Sequence, residues 1–189
     1  MLYIGIDPDM HCQAFACIDE DDNVVWVQVL KIPRKLKGEE ALEALCRQHT
    51  LDNFPFMSSD PHVCATESQQ YYAGDKVPAQ ALISLATASG IVMGFLESNI
   101  MCDRQYLVKP KKWKGTVPKH IHQARTLKSI GIDYEKTSGK SPYCYPVGDI
   151  CNRFPHLKKG DWKHISDAIG LAVYAKKQYR LDQSLAQYL

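Results

Sequence analysis

Two stretches of this chain constrain its fold more than any other feature. Leu2-Tyr3-Ile4-Gly5-Ile6-Asp7 and His62-Val63-Cys64-Ala65-Thr66-Glu67 are each nearly apolar from end to end, and each closes on a carboxylate. A short, continuous apolar run reads as a strand buried on both faces, inside a sheet covered by helices. Residues 11–18 and 24–32 read as two more strands, separated by the polar turn Asp19-Glu20-Asp21-Asp22-Asn23. The first three strands therefore form an antiparallel meander. The acids of the turn cannot all converge on one site at a strand end, so the turn is expected to be solvated.

Helical spacing takes over in the gaps. Residues 38–49 place Leu42, Leu45 and Cys46 on one face of a helix, and 78–98 form a long helix rich in Ala, Leu, Ile and Gly. Residues 104–108 are a fifth strand, and 117–130 a basic helix started by Pro118. Residues 138–154 are a Gly/Pro/Tyr-rich loop. The last helix, 162–179, has an apolar face of Ile165, Ala168, Ile169, Leu171, Ala172 and Tyr174. At 189 residues one domain is expected, over 1–179, with 180–189 as a C-terminal tail. The class is α/β: one mixed sheet flanked by helices. Short right-handed connections put the first and fourth strands side by side.

That adjacency makes the two terminal acids informative. Parallel neighbours that end on Asp7 and Glu67 bring both carboxylates to one sheet edge, where open α/β sheets bind ligands. The last helix offers His164 and Asp167 at i, i+3, one turn apart on one side. Three carboxylates and an imidazole are a donor set for a hard cation, Mg²⁺ or Mn²⁺. Two such ions roughly 4 Å apart are a known arrangement for phosphodiester cleavage. Asp161 is expected to cap the last helix rather than to ligate, and Asp9 and Asp149 are loop acids.

The formal net charge is only +2, yet residues 104–128 carry Arg104, Lys109, Lys111, Lys112, Lys114, Lys119, Arg125 and Lys128 with no Asp or Glu. Such asymmetry points to a polyanionic partner docking on one side, with Trp113 inside the basic run. The seven cysteines include no Cys-x-x-Cys, so neither a disulfide framework nor a zinc knuckle is expected, and the thiols are expected to be mostly buried. No stretch is expected to approach the roughly 20 apolar residues of a bilayer span, so no membrane partner is expected. The start of the chain has no signal-type pattern. A cytoplasmic protein is expected, nucleoid-associated or in the host cytoplasm if viral, with no small-molecule substrate.

Gly5-Ile6-Asp7-Pro8, the Glu67-Ser68-Gln69 element before a small-residue helix, and His164-Ile165-Ser166-Asp167-Ala168-Ile169-Gly170-Leu171-Ala172 resemble the RuvC-like Holliday junction resolvases, in order and spacing, over roughly residues 1–178. Asp7, Glu67 and Asp167 fall on that family's acidic positions. Its usual fourth acid is replaced here by His164, a substitution some members share. The resemblance implies a five-stranded ribonuclease H-like sheet in the order 3-2-1-4-5. It implies a homodimer that cuts four-way DNA junctions by paired symmetric nicks, with two divalent cations per active site activating water. A candidate dimer interface is the 79–98 helix, through Ala81, Ala86, Ala88, Gly90 and Gly94. The stretch Lys109, Lys111, Lys112, Trp113, Lys114, then Lys119 sits where the family places lysines that assist catalysis; Lys112 and Lys119 are the expected pair. Arg125 joins the DNA-binding set. Tyr71 and Tyr72 lie where the family carries an aromatic that stacks on unpaired bases. The alternatives are a less selective ribonuclease H-like nuclease for branched, flap or RNA–DNA hybrid substrates, and a DNA-binding module with a degenerate site.

Overall fold

The computed structural model describes residues 1–50, 53–54, 62–68, 78–99 and 102–188. Tyr71 and Tyr72 lie outside the described residues. Five strands, β1 (Leu2–Asp7), β2 (Cys12–Ile18), β3 (Val24–Lys31), β4 (His62–Glu67) and β5 (Cys102–Val108), form one mixed sheet in the order β3-β2-β1-β4-β5. β1, β2 and β3 pair antiparallel, whereas β4 runs parallel to β1 and β5 parallel to β4. This is the mixed α/β sheet expected, with the ribonuclease H-like strand order.

Both faces of the sheet are covered, which explains the unbroken apolar runs. Side chains of a strand alternate between faces. From β1 and β4, Tyr3, Val63 and Ala65 join the core formed with Ile165, Ala168, Ile169 and Ala172 of the last helix, α6 (Trp162–Ala186). Ile4, Ile6 and Cys64 point the other way, into a core with Val92 and Leu96 of α2 (Ala79–Asn99) and with Phe15 and Phe54. The helix α1 (Glu39–Gln48) adds Ala41 and Leu45 beside Ala88 on that second face. Each fully buried Ile or Leu stabilises the fold by about 1.5–3 kcal/mol.

On the α6 side, the chain adds α3 (Pro110–Lys114), α4 (Lys119–Ser129), the small hairpin β6 (Tyr134–Lys136) and β7 (Cys144–Pro146), and α5 (Asp149–Arg153). These cover α6, so the helix is buried nearly all round from Ile165 to Val173. β7 and α5 lie inside the stretch expected to be a loop. α6 also runs past its expected end at 179, through what was expected to be a tail. Arg180 pairs with Glu20 at 2.7 Å, and Asp182 accepts from the Tyr106 hydroxyl at 2.7 Å, which tie the added turns to the sheet.

Three further expectations are corrected. The acidic turn is not simply solvated: buried Lys176 donates to the Glu20 carbonyl at 2.6 Å and to Asp22 at 2.7 Å, drawing the turn onto α6. The cysteines are all free, but only Cys17, Cys64 and Cys144 are buried, and Cys46 is exposed. α2 is long and apolar enough, by length and composition, to cross a membrane, contrary to the expectation from sequence. Ala88, Val92 and Leu96 commit one face of it to the sheet, while Ile83, Ala86, Gly90 and Gly94 stand exposed on the other.

Candidate active site

The parity of the strands decides where the acids go. Tyr3 and Gly5 face α6, so Asp7, two further on, does too; the same rule takes Val63 and Ala65 to Glu67. The parallel register runs through Ile6 opposite Thr66, which leaves Asp7 and Glu67 as neighbours at the strand ends. α6 then crosses β1 at Gly5. A Cβ at residue 5 would lie far inside contact distance of the Ala168 carbonyl oxygen and the Ala172 nitrogen. Only glycine allows that approach, and the approach is what sets His164 and Asp167, on the first turns of α6, above Asp7.

All four expected ligands lie around this end of the sheet, each held by a partner. His164 Nδ1 lies 2.9 Å from Asp7 Oδ2. Glu67 Oε2 accepts from Trp113 Nε1 and from Lys114 Nζ, both at 2.9 Å. Asp167 is 3% exposed; its Oδ1 accepts from Gln123 Nε2 at 2.8 Å and its Oδ2 pairs with Lys119. Gln123 is itself fixed. It accepts from the Cys144 backbone N–H at 2.9 Å and donates to the Lys163 carbonyl at 3.0 Å, so it joins α4, β7 and α6.

The electrostatics follow from this crowding. The hydrogen bond to Asp7, then that to Cys12, push the His164 pKa up to about 10, so the imidazole is cationic at neutral pH. Burial, then the charge of Asp7, push Asp167 up to about 6, against the pull of Lys119. Burial alone would lower Lys119, but Asp167, Asp7 and Glu67 outweigh it and the lysine is raised. Three carboxylates thus face three of the protein's own cations. Among the described residues no group of three His, Cys, Asp or Glu side chains is close enough as arranged to hold a metal ion. The donor set still fits one: hard oxygens with one nitrogen, around a carboxylate that burial and the neighbouring Asp7 make reluctant to ionise.

A pH dependence follows for Asp167. Its folded pKa is raised, so its contribution to stability is fully present below the unfolded value and is lost as pH rises through about 6. Without divalent ions, Asp167→Asn should therefore gain stability relative to the native protein as pH rises from 4 to 7. Urea unfolding in EDTA at several pH values checks this; a difference independent of pH would contradict it.

Of the remaining expected residues, Lys119 and Lys114 touch the acids. Lys109 and Lys112 line a hollow beside β5, and Lys111 and Arg125 are exposed. Asp161 sits at the N-cap of α6 but makes no capping bond; it pairs with Lys31 at 2.5 Å instead. Three contributions were not legible beforehand: Trp113 and Lys114 on Glu67, and Gln123 on Asp167. The cue for the first two was position alone, since Trp113-Lys114 closes the basic run just before Gly115 turns the chain.

No family model matches this chain, and no curated protein matches it by sequence. Among solved structures it is similar to Thermus thermophilus RuvC in complex with a Holliday junction substrate, with a TM-score of 0.61 and 15% identity over 96% of each chain. A second T. thermophilus RuvC structure gives 0.59 and 16% over 96% of this chain and 97% of that one. The yeast mitochondrial Holliday junction resolvase Ydc2 gives 0.51 and 14% over 98% and 85%. The fold is shared along nearly the whole chain at 14–16% sequence identity.

Proposed function

We propose that this protein is a RuvC-type resolvase: a metal-dependent endodeoxyribonuclease, acting as a cytoplasmic homodimer, that cuts four-way DNA junctions by paired symmetric nicks. The reading is supported by the placement of Asp7, Glu67, His164 and Asp167 around one end of the sheet, in a fold shared with such enzymes.

Asp7, Glu67, His164 and Asp167 would hold two divalent cations, Mg²⁺ or Mn²⁺. Such ions, when bound, supply neutralisation of phosphate charge and acidification of water. The chain's own residues supply the rest. Trp113 holds one oxygen of Glu67, and Gln123 holds one of Asp167, so each carboxylate keeps its aim. Lys114 and Lys119 now neutralise the acids. Were cations to take over that neutralisation, the two ammonium groups would be free to bind the phosphate and to offset the charge that builds on its oxygens during cleavage. His164, cationic beside Asp7, would have to give up one ring proton before it could ligate, and the hydrogen bond from Nδ1 to Asp7 could orient the ring while the other nitrogen did so. Recognition is mainly of shape and backbone, through the lysines of residues 109–119. The test is a comparison of substrates: preferential cutting of an immobile four-way junction supports the reading, whereas better cutting of Y-forks or RNA–DNA hybrids would favour a general nuclease.

Two cuts related by symmetry call for two sites related by a two-fold axis. The exposed stripe of α2 supports pairing through that helix. Among the described residues nothing lies within 4 Å of a Cβ placed at Gly90 or Gly94, so no described part of the protomer needs these glycines, whereas a second helix approaching closely would. Gly90→Glu should shift the protein from dimer to monomer in sedimentation at micromolar concentration, with its circular dichroism unchanged. A Gly90→Glu protein that stays dimeric would place the interface elsewhere.

A further inference from the structure

Beside the acids lies a hollow of about 300 Å³ between α3, α4 and α6, at the small end of the roughly 300–1,000 Å³ typical of ligand pockets. Its walls include Trp113, His122, Thr126 and Tyr174, with Arg125 and Lys177 exposed at the rim. Its floor is Gly170. A Cβ there would come within 2.7 Å of the Trp113 ring and 3.2 Å of His122 Nε2, so glycine lets both rings settle against α6. The His122 ring meets the indole edge-on at 4.6 Å. Burial, with Lys114 and Arg125 nearby, pushes the His122 pKa down to about 4, so the imidazole is neutral and can both donate and accept. Tyr174 also lines a second hollow, of about 490 Å³, with Lys109 and Lys112. No carboxylate lines either hollow among the described residues.

Aromatic walls, a neutral hydrogen-bonding imidazole, a buried hydroxyl and cationic rims without acids form a combination suited to one nucleobase with its flanking phosphates. The location agrees with this. Gly170 is one helical turn beyond Asp167, roughly 5 Å along α6, which is one or two nucleotide steps. Trp113 itself bridges the two places, since its Nε1 donates to Glu67.

We infer that the hollow bounded by Trp113, His122, Gly170 and Tyr174 receives a single unstacked base of the DNA strand, one or two nucleotides from the cut. The base stacks on the aromatic walls, Arg125 and Lys177 hold its phosphates, and His122 and Thr126 read its edge. This rests on the nuclease reading above and adds to it a pocket for sequence preference.

The test walks an abasic residue through the positions flanking the cut in a four-way junction, and through a matching single strand. Binding is measured on Asp7→Asn protein, which would not cut. One position should weaken binding about tenfold when its base is absent. Adding Tyr174→Ala or, independently, His122→Ala should weaken binding to the intact DNA and remove the penalty at that position alone. Circular dichroism establishes that each variant is folded. Equal penalties at every position, or penalties that simply add in both variants, would overturn the pocket while leaving the nuclease reading intact. Failure to prefer the junction over linear duplex would overturn that reading instead. The single strand then decides the pocket by the same criterion.

Discussion

Asp7→Asn should lower junction cleavage by roughly a thousandfold or more and leave junction binding within a few-fold of the native protein. Asp7 closes β1 beside Glu67, faces His164 at 2.9 Å and contributes to the field that raises Asp167. The amide keeps the shape but gives up the anionic ligand. Metal stabilisation of a phosphoryl transition state amounts to several kcal/mol, which is about a thousandfold in rate. Binding should survive because most protein–DNA contacts go to phosphates through cations, and the substitution only removes a negative charge from that surface. Single-turnover cleavage and gel-shift titration on the same preparation separate the two. Loss of binding with cutting retained would remove Asp7 from the site.

Gly5→Ala should be the most damaging single methyl group in the chain. The added Cβ would press into the backbone of α6 at Ala168 and Ala172, and backbone cannot rotate away as a side chain can. Overpacking of this kind costs about 3 kcal/mol or more when the obstacle cannot yield. For a domain of this size that is a fall in Tm of roughly 10 °C, or failure to fold. The protein that does fold should have lost cleavage, because α6 carries His164 and Asp167 and must shift away from β1. Gly160→Ala, away from α2, is the control. Among the described residues nothing lies within 4 Å of a Cβ there and its φ is not left-handed, so it should leave Tm unchanged or raise it slightly. Equal melting of Gly5→Ala and the native protein would mean that the helix does not cross β1 where described.

Asp7 and Gly5 both lie on a strand whose fate is written locally in the sequence. β1 and β4 were legible because strands buried on both faces are written as continuous apolar runs, and a carboxylate at the end of such a run stands out. His164 and Asp167 were legible because their i, i+3 spacing is local. Lys114, Trp113 and Gln123 were not legible. Their roles depend on how α3 and α4 fold back over α6, and a basic run does not say which of its lysines turns inward. Lys112, the lysine expected beside Lys119, points to the hollow under β5, while Lys114, two residues on, reaches Glu67. The extension of α6 to Ala186 depended on pairs with Glu20 and Tyr106, both distant in sequence. Lys176 was hidden in the same way: a lysine late in a helix reads as solvated, and its burial depends on a turn more than 150 residues earlier. The amphipathic reading of α6 also fell short, because the hairpin and α4 bury its second side.

Junction resolution is tested most directly by cleavage of an immobile four-way DNA junction by the purified protein, with Mg²⁺, with Mn²⁺ and with EDTA, mapped to the nucleotide on all four strands. A junction resolvase should leave nicks on two strands of like polarity, at symmetric positions near the crossover, present with either metal and absent in EDTA. Cutting that persists in EDTA, or tight junction binding without any cutting under either metal, would contradict it.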